Sequence, residues 1–258
     1  MCSNVLRAVA AAVLVAASAC GGGEKDSASA APPLADAPRV DRAQSGMVIG
    51  RVSFEGAAPE NPKVKLAGDP ACARANAGGL AFENYIVTDG GLDNVFVYVK
   101  DGLGNYHFDA PAEPVKVNQQ ACRYLPHVVG VQVGQPLEFS NSDDTMHNVH
   151  AVPDVNQELN IGQHTKDQKD THTLTAAEVM VPLKCDLHPW MNAYVGVVAH
   201  PYYAVTTDGG KFELKDLPPG TYTIEAWHEK AGTQTQQVTI APKVTRGVTF
   251  TFKASTGS

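Results

Sequence analysis

The chain has 258 residues, 43% of them hydrophobic and 18% charged, so it has the apolar content for packed cores and the length for two domains; a wholly disordered chain is excluded. Twenty Lys and Arg against 27 Asp and Glu leave a formal charge of −7. With no basic run, nucleic acid is excluded as a partner, because gripping its phosphates takes clustered cations. Twenty-three Gly and 17 Pro beside 7% aromatics fit a turn-rich β protein and not a helical bundle.

The first element in the chain is a targeting segment. Arg7 precedes a run of small apolar residues (8–17) that is too short to span a bilayer. It ends in Ala17-Ser18-Ala19-Cys20, which resembles a bacterial lipoprotein signal whose Cys becomes the lipidated first residue, although Ala17 stands where Leu is usual. The segment 1–19 is therefore expected to be removed, and Cys20 to anchor the protein in a membrane at the periplasm or cell surface; soluble secretion is the alternative. Residues 20–45 have almost no bulky side chain and are expected to form a flexible tether.

Strands follow. Val48, Gly50, Val52 and Phe54 alternate with other residues in MVIGRVSFEG (47–56), and NVFVYVKDG (94–102) is a second strong strand. Residues 115–120, 128–133, 136–142, 147–152, 178–185, 193–200, 210–217, 220–229, 235–242 and 247–252 continue the pattern, separated by turns such as Asp208-Gly209-Gly210 and Pro218-Pro219-Gly220. No long helix and no internal repeat is legible. Short strands at this spacing predict β-sandwiches.

Cys2 lies in the leader, which leaves Cys72, Cys122 and Cys185 beyond Cys20. In an oxidising compartment two of the three should pair. Cys185 stands apart in a Cys-x-x-His-x-x-Met run where a free thiolate has a use, so Cys72 and Cys122 are the expected disulfide, with two free buried thiols as the alternative. Closing that loop contributes roughly 4 kcal/mol in the chain-entropy account.

Lys-Cys-Asp-Leu-His-Pro-Trp-Met (184–191) sets Cys185, His188 and Met191 at three-residue steps after a strand. A thiolate, an imidazole and a thioether on one tight loop suit a soft redox metal, and two His with one Cys and a weak axial Met is the blue-copper set. The second His must come from Met146-His147-Asn148-Val149-His150. Side chains on a strand alternate between faces, so only one of His147 and His150 can point at the metal. Zinc is the rival, but structural zinc takes four Cys or His ligands and catalytic zinc keeps a water position, where this loop offers Met191.

His-Asn-Val-His followed by Cys-x-x-His-Pro-x-Met resembles the cupredoxins of the plastocyanin and amicyanin group, over about residues 112–200. The resemblance implies a Greek-key β-sandwich with one type 1 copper held by His147, Cys185, His188 and Met191. It assigns Asn148 to tying the His147 strand to the Cys loop, and sets Pro189 beside His188, which is expected to be partly exposed and to serve as the electron port. Asp143, Asp144 and Asp186 are expected to form a negative rim, with Lys184 against it. His150 and His200 are expected at a rim or edge, and His228 as a contact between domains.

Residues 203–253, with Thr-Asp-Gly-Gly-Lys-Phe-Glu-Leu-Lys-Asp-Leu-Pro-Pro-Gly-Thr-Tyr, resemble the carboxypeptidase regulatory-like modules, transthyretin-like sandwiches without catalytic function. Their usual first strands appear at Gly50-Arg51-Val52 and Asn94-Val95-Phe96-Val97, before the copper motifs. The expectation is an all-β chain in which a cupredoxin domain (112–202) is inserted in a regulatory-like sandwich (46–111 and 203–258); a linear order is the alternative. No catalytic motif is present, and no extra His-x-His offers a second copper centre, so an enzyme is not expected. The chain reads as an electron carrier whose partner is a redox protein such as a c-type cytochrome or a periplasmic dehydrogenase. A copper carrier or buffer, and a surface scaffold with an incidental metal, are the alternatives.

Overall fold

The computed structural model describes residues 37–66 and 68–254; the leader, Cys20 and residues 20–36 of the expected tether lie outside the described residues. In chain order the described elements begin with β1 (Gly46–Glu55), α1 (Pro70–Ala75), β2 (Val87–Thr88), β3 (Gly91–Leu92) and β4 (Phe96–Asp101). Then come β5 (Val115–Gln119), β6 (Tyr124–Leu125), β7 (Val128–Gln132), β8 (Pro136–Asn141), β9 (His147–Ala151), β10 (Leu159–Gln163), β11 (Lys169–Thr173), β12 (Glu178–Lys184) and β13 (Asn192–Val198). Last are β14 (Tyr203–Val205), β15 (Lys211–Leu217), β16 (Gly220–His228), β17 (Gly232–Ile240) and β18 (Thr245–Lys253). Among the described residues the fold is all-β apart from α1, and no described helix is long and apolar enough to cross a membrane.

The strands form four sheets in two pairs. In the first pair, β15-β1-β3-β2, with β18 on the other edge of β1, shares a core with β14-β4-β16-β17, built from Val48, Val52, Val97, Leu214, Ile224 and Phe250. In the second pair, β10-β9-β12-β13-β7 and β11-β8-β5-β6 close over Val117, Phe139, Val149, Val181 and Val195. Thus β1–β4 share sheets with β14–β18, and β5–β13 pair among themselves. Burial alternates along β8 and β18, as a strand with one face on a core requires.

β4 is buried on both faces, which explains its unbroken apolar run. Val97 and Val99 enter the first core, whereas Phe96 and Tyr98 join Val128, Met180 and Val198 between the two pairs of sheets. Gly130 on β7 and Gly196 on β13 are register partners. A Cβ at Gly196 would lie 2.5 Å from the Phe96 ring, and one at Gly130 would lie 2.3 Å from the Tyr203 ring. Bare backbone at both positions is what admits these rings.

His127 Nε2 lies 2.6 Å from Glu229 Oε1 in the same junction, both side chains buried. The contact expected of His228 is therefore made by its neighbour. His228, the last residue of β16, instead turns into the first sandwich, stacked on Tyr85, while Glu229 sits in the turn that follows. Residues 38–45 depart from the expected tether: Pro38 O accepts from His107 N, Gln44 O accepts from Lys243 N, and Arg39 pairs with Asp109.

Cys72 and Cys122 are disulfide-bonded and Cys185 is a free, buried thiol, as the cysteine arithmetic anticipates. α1 carries Cys72 and is capped by Asp69, whose side chain accepts from Ala71 N and Cys72 N.

Burial holds the His228 imidazole down to about 4. Its Nδ1 accepts from Lys230 N and Ala231 N, while Nε2 has no partner. An unfolded chain takes up this proton near its ordinary value of 6.5 and the fold refuses it, so the contribution is present above 6.5 and is lost as pH falls toward 4. The stability difference between wild type and His228→Asn, followed by urea unfolding, is expected to shrink by about 3 kcal/mol between neutral pH and pH 4.

Candidate metal centre

β9 begins at His147, and β12 ends at Lys184, directly before Cys185. The two strands are antiparallel neighbours, with Lys184 opposite His150, so the start of β9 lies beside the loop 185–191. That loop is closed by Met191 N donating to His188 O at 2.9 Å and Cys185 N donating to Met191 O at 3.1 Å. Asn148 ties β9 to it: its Oδ1 accepts from Asp186 N at 2.8 Å and its Nδ2 donates to Asp186 Oδ2 at 3.0 Å. The Tyr124 hydroxyl reaches both strands, 2.5 Å from Asn148 O and 2.9 Å from Lys184 O.

This framework brings the Cys185 thiol and one nitrogen of each of His147 and His188 within 4.8 Å of one another. The two Nδ1 atoms are 2.9 Å apart, and Cys185 Sγ is 3.7 Å from His188 Nδ1. All three residues are buried, and Met191 is buried in the same apolar cluster as Cys185. Two imidazole nitrogens and a sulfur aimed at one enclosed point, with a thioether residue at the end of their loop, fit the donor set of a type 1 copper. Two neighbouring groups, Asp69 with Cys72 and His188, and Cys122 with Asp143 and His147, draw on disulfide sulfurs and share these histidines, so they offer no second thiolate site.

Burial of Cys185 pushes its thiol up, but hydrogen bonds from His147 and His188 outweigh it and hold the thiol at about 6. Burial pulls His147 down, and Asp143 with the Cys185 sulfur raises it to about 9. His188 is raised by Cys185, and by Asp69 against burial. Without metal the cluster is thus a thiolate neutralised by imidazolium, a charge pattern that an ion would replace.

Two expectations are corrected. His188 is 5% exposed and not partly open, because Asp69 Oδ2 sits 3.0 Å from its Nε2 edge and Trp190 packs beside it. Asp143 is not on a rim; its Oδ2 lies 2.9 Å from His147 Nε2, while Asp144 pairs with Lys166 and Asp186 with His150. His150 points away from the cluster to Asp186 and Glu158. Pro189 is exposed beside His188, and His200 is half-buried, its Nε2 donating to Val99 O. Asp69 and Tyr124 belong to the site and carry no motif; Asp69 is 119 residues from His188, a separation that hides it from any local pattern.

Residues 187–253 match the carboxypeptidase regulatory-like domain. The match starts inside the Cys185 loop and takes in β13, which pairs with β12 and β7, so it straddles the two pairs of sheets. No curated protein matches the chain. Among solved structures, a methionine-to-glutamine variant of amicyanin in the Cu(I) state is 27% identical, covering 33% of this chain and 81% of that one at a TM-score of 0.30. A purple cupredoxin from Nitrosopumilus maritimus is 19% identical, covering 32% and 97% at 0.28, and a tryptophan-to-tyrosine variant of reduced amicyanin is 24% identical, covering 41% and 99% at 0.30. The chain is similar to a regulatory-like domain over residues 187–253 and, over a third or more of its length, to cupredoxins.

Proposed function

We propose that His147, Cys185, His188 and Met191 hold one type 1 copper and that the protein carries single electrons outside the cytoplasm, anchored by a lipidated Cys20. The observation that carries this reading is the buried convergence of the Cys185 thiol with the two Nδ1 atoms. Bound copper would supply a one-electron couple. The chain's own residues supply its setting: Asn148 and Tyr124 fix β9 against the Cys loop, which limits rearrangement between oxidation states, and burial excludes water. A closed donor set favours electron exchange over metal delivery. Leu187, Pro189 and Met146 are exposed around the covered His188 and form the face offered to a c-type cytochrome or periplasmic dehydrogenase.

Loading with Cu(II) is expected to give an intense visible band that ascorbate bleaches and an oxidant restores. Stopped-flow mixing with a c-type cytochrome, run alongside a Cu(I) chelator, tests the role. Fast electron exchange with copper retained supports the carrier; rapid capture by the chelator with negligible exchange leaves copper delivery instead.

Copper must displace the proton that His147 holds up to about pH 9 in the metal-free protein. Cu(II) affinity, measured by competition with a chelator, is therefore expected to rise about tenfold per pH unit per proton released. The rise is steeper below about 6, where the thiol must also lose its proton, and levels off above about 9.

A further inference from the structure

Each histidine of the cluster is backed by a carboxylate, and both carboxylates end on the same disulfide. Asp143 Oδ2 lies 2.9 Å from His147 Nε2 and accepts from Cys122 N at 2.7 Å, while its Oδ1 accepts from Ala121 N at 2.7 Å. Asp69 Oδ2 lies 3.0 Å from His188 Nε2 and accepts from Thr145 Oγ1, while its Oδ1 accepts from Ala71 N at 2.7 Å and Cys72 N at 2.9 Å. Asn76 Nδ2 donates to Cys72 O and Ala121 O, joining the two half-cystine segments a second time.

The backbone is strained to make this possible. Ala121 and Cys122 both have left-handed φ, 52° and 54°, an uncommon pair for side chains with a Cβ, and their consecutive amides converge on Asp143 as an anion-binding nest. Such strain persists only where its surroundings enforce it. A histidine that donates Nε2–H to a carboxylate has its tautomer and ring plane fixed, with the Nδ1 lone pair turned the other way. In both residues that other way is toward Cys185.

We propose that Asp69 and Asp143 are the positioning residues of the metal centre, each aiming one histidine's Nδ1 at Cys185, and that the Cys72–Cys122 disulfide holds the two carboxylates in register. The proposal rests on the copper reading above for its effect on metal, but not for its geometry. The negative charge behind each imidazole makes that ligand more basic and favours Cu(II) over Cu(I), so the arrangement sets the potential from outside the ligand set.

The test uses the full chain with Asp69→Asn, Asp143→Asn and the control Asp144→Asn, which removes the same charge from an exposed neighbour. In copper-loaded protein, each of the first two is expected to weaken Cu(II) relative to Cu(I) by about tenfold, a rise of about 59 mV for a one-electron couple, with little change in the control. Equal shifts in all three variants would overturn positioning in favour of bulk charge. Cys72→Ser/Cys122→Ser, and the folded protein with this disulfide reduced in place, are each expected to shrink the effect of both Asp substitutions; undiminished effects in either overturn the role of the disulfide. Metal-free protein supplies the independent readout: hydrogen-bonded Nε2–H protons of His147 and His188 should appear at low field in the proton spectrum and vanish one at a time in Asp143→Asn and Asp69→Asn. Their absence from wild type sinks the proposal, whereas their presence in a protein that forms no coloured copper complex sinks the copper reading alone.

Discussion

Cys185→Ser is expected to abolish the visible band of the copper-loaded protein completely, since the thiolate is the source of the charge transfer. The fold should persist, because serine fills nearly the same buried volume beside His188. A second effect separates this variant from simple damage. The Cys185 sulfur is one of the groups that raise His147 to about 9, so in the metal-free variant His147 should titrate at lower pH, read from its ring-proton shifts. A band that survives the substitution, or a His147 titration that does not move, would remove Cys185 from the centre of the site.

Phe96→Ala is expected to cost about 3–5 kcal/mol, the largest stability loss anticipated here. The ring is fully buried between the pairs of sheets and stacks near Tyr203, centroids 5.8 Å apart, over Gly130 and Gly196. With no side chain at either glycine, the backbone directly beneath the ring has nothing to put into the void. Calorimetry should show a lower transition, split into two steps as the sandwiches uncouple. A change under about 1 kcal/mol would mean that the His127–Glu229 contact and the surrounding valines hold the junction without the ring.

The parts of this protein that were legible in sequence are those written locally. Alternating apolar residues mark β1, β8 and β18, and the three-residue steps from Cys185 to Met191 mark a ligand loop, because strand period and loop spacing are properties of adjacent residues. The cysteine pairing followed from elimination. What sequence did not show depends on the meeting of distant segments. The covering of His188 comes from Asp69 on the segment before α1, and the junction is carried by two glycines whose importance lies in what another strand places over them. Asp143 and Asp144 are adjacent and alike in sequence; the left-handed turn at Ala121 and Cys122 draws Asp143 inward and leaves Asp144 outside.

β1 runs parallel to β18 over its whole useful length, from Met47 opposite Thr245 to Glu55 opposite Lys253. A ribosome or export channel delivers these two strands at opposite ends of the process. Everything needed for the β5–β13 sheets has emerged while β1 still waits for one of its neighbours, so the inner sandwich is free to fold first and the outer one can close only when the last strand arrives. During that interval β1 presents an apolar strand with an unpaired edge, the form most open to wrong pairing. Trimming residues from the β18 end would therefore do more than shorten the protein: it would leave one edge of β1 permanently unpaired.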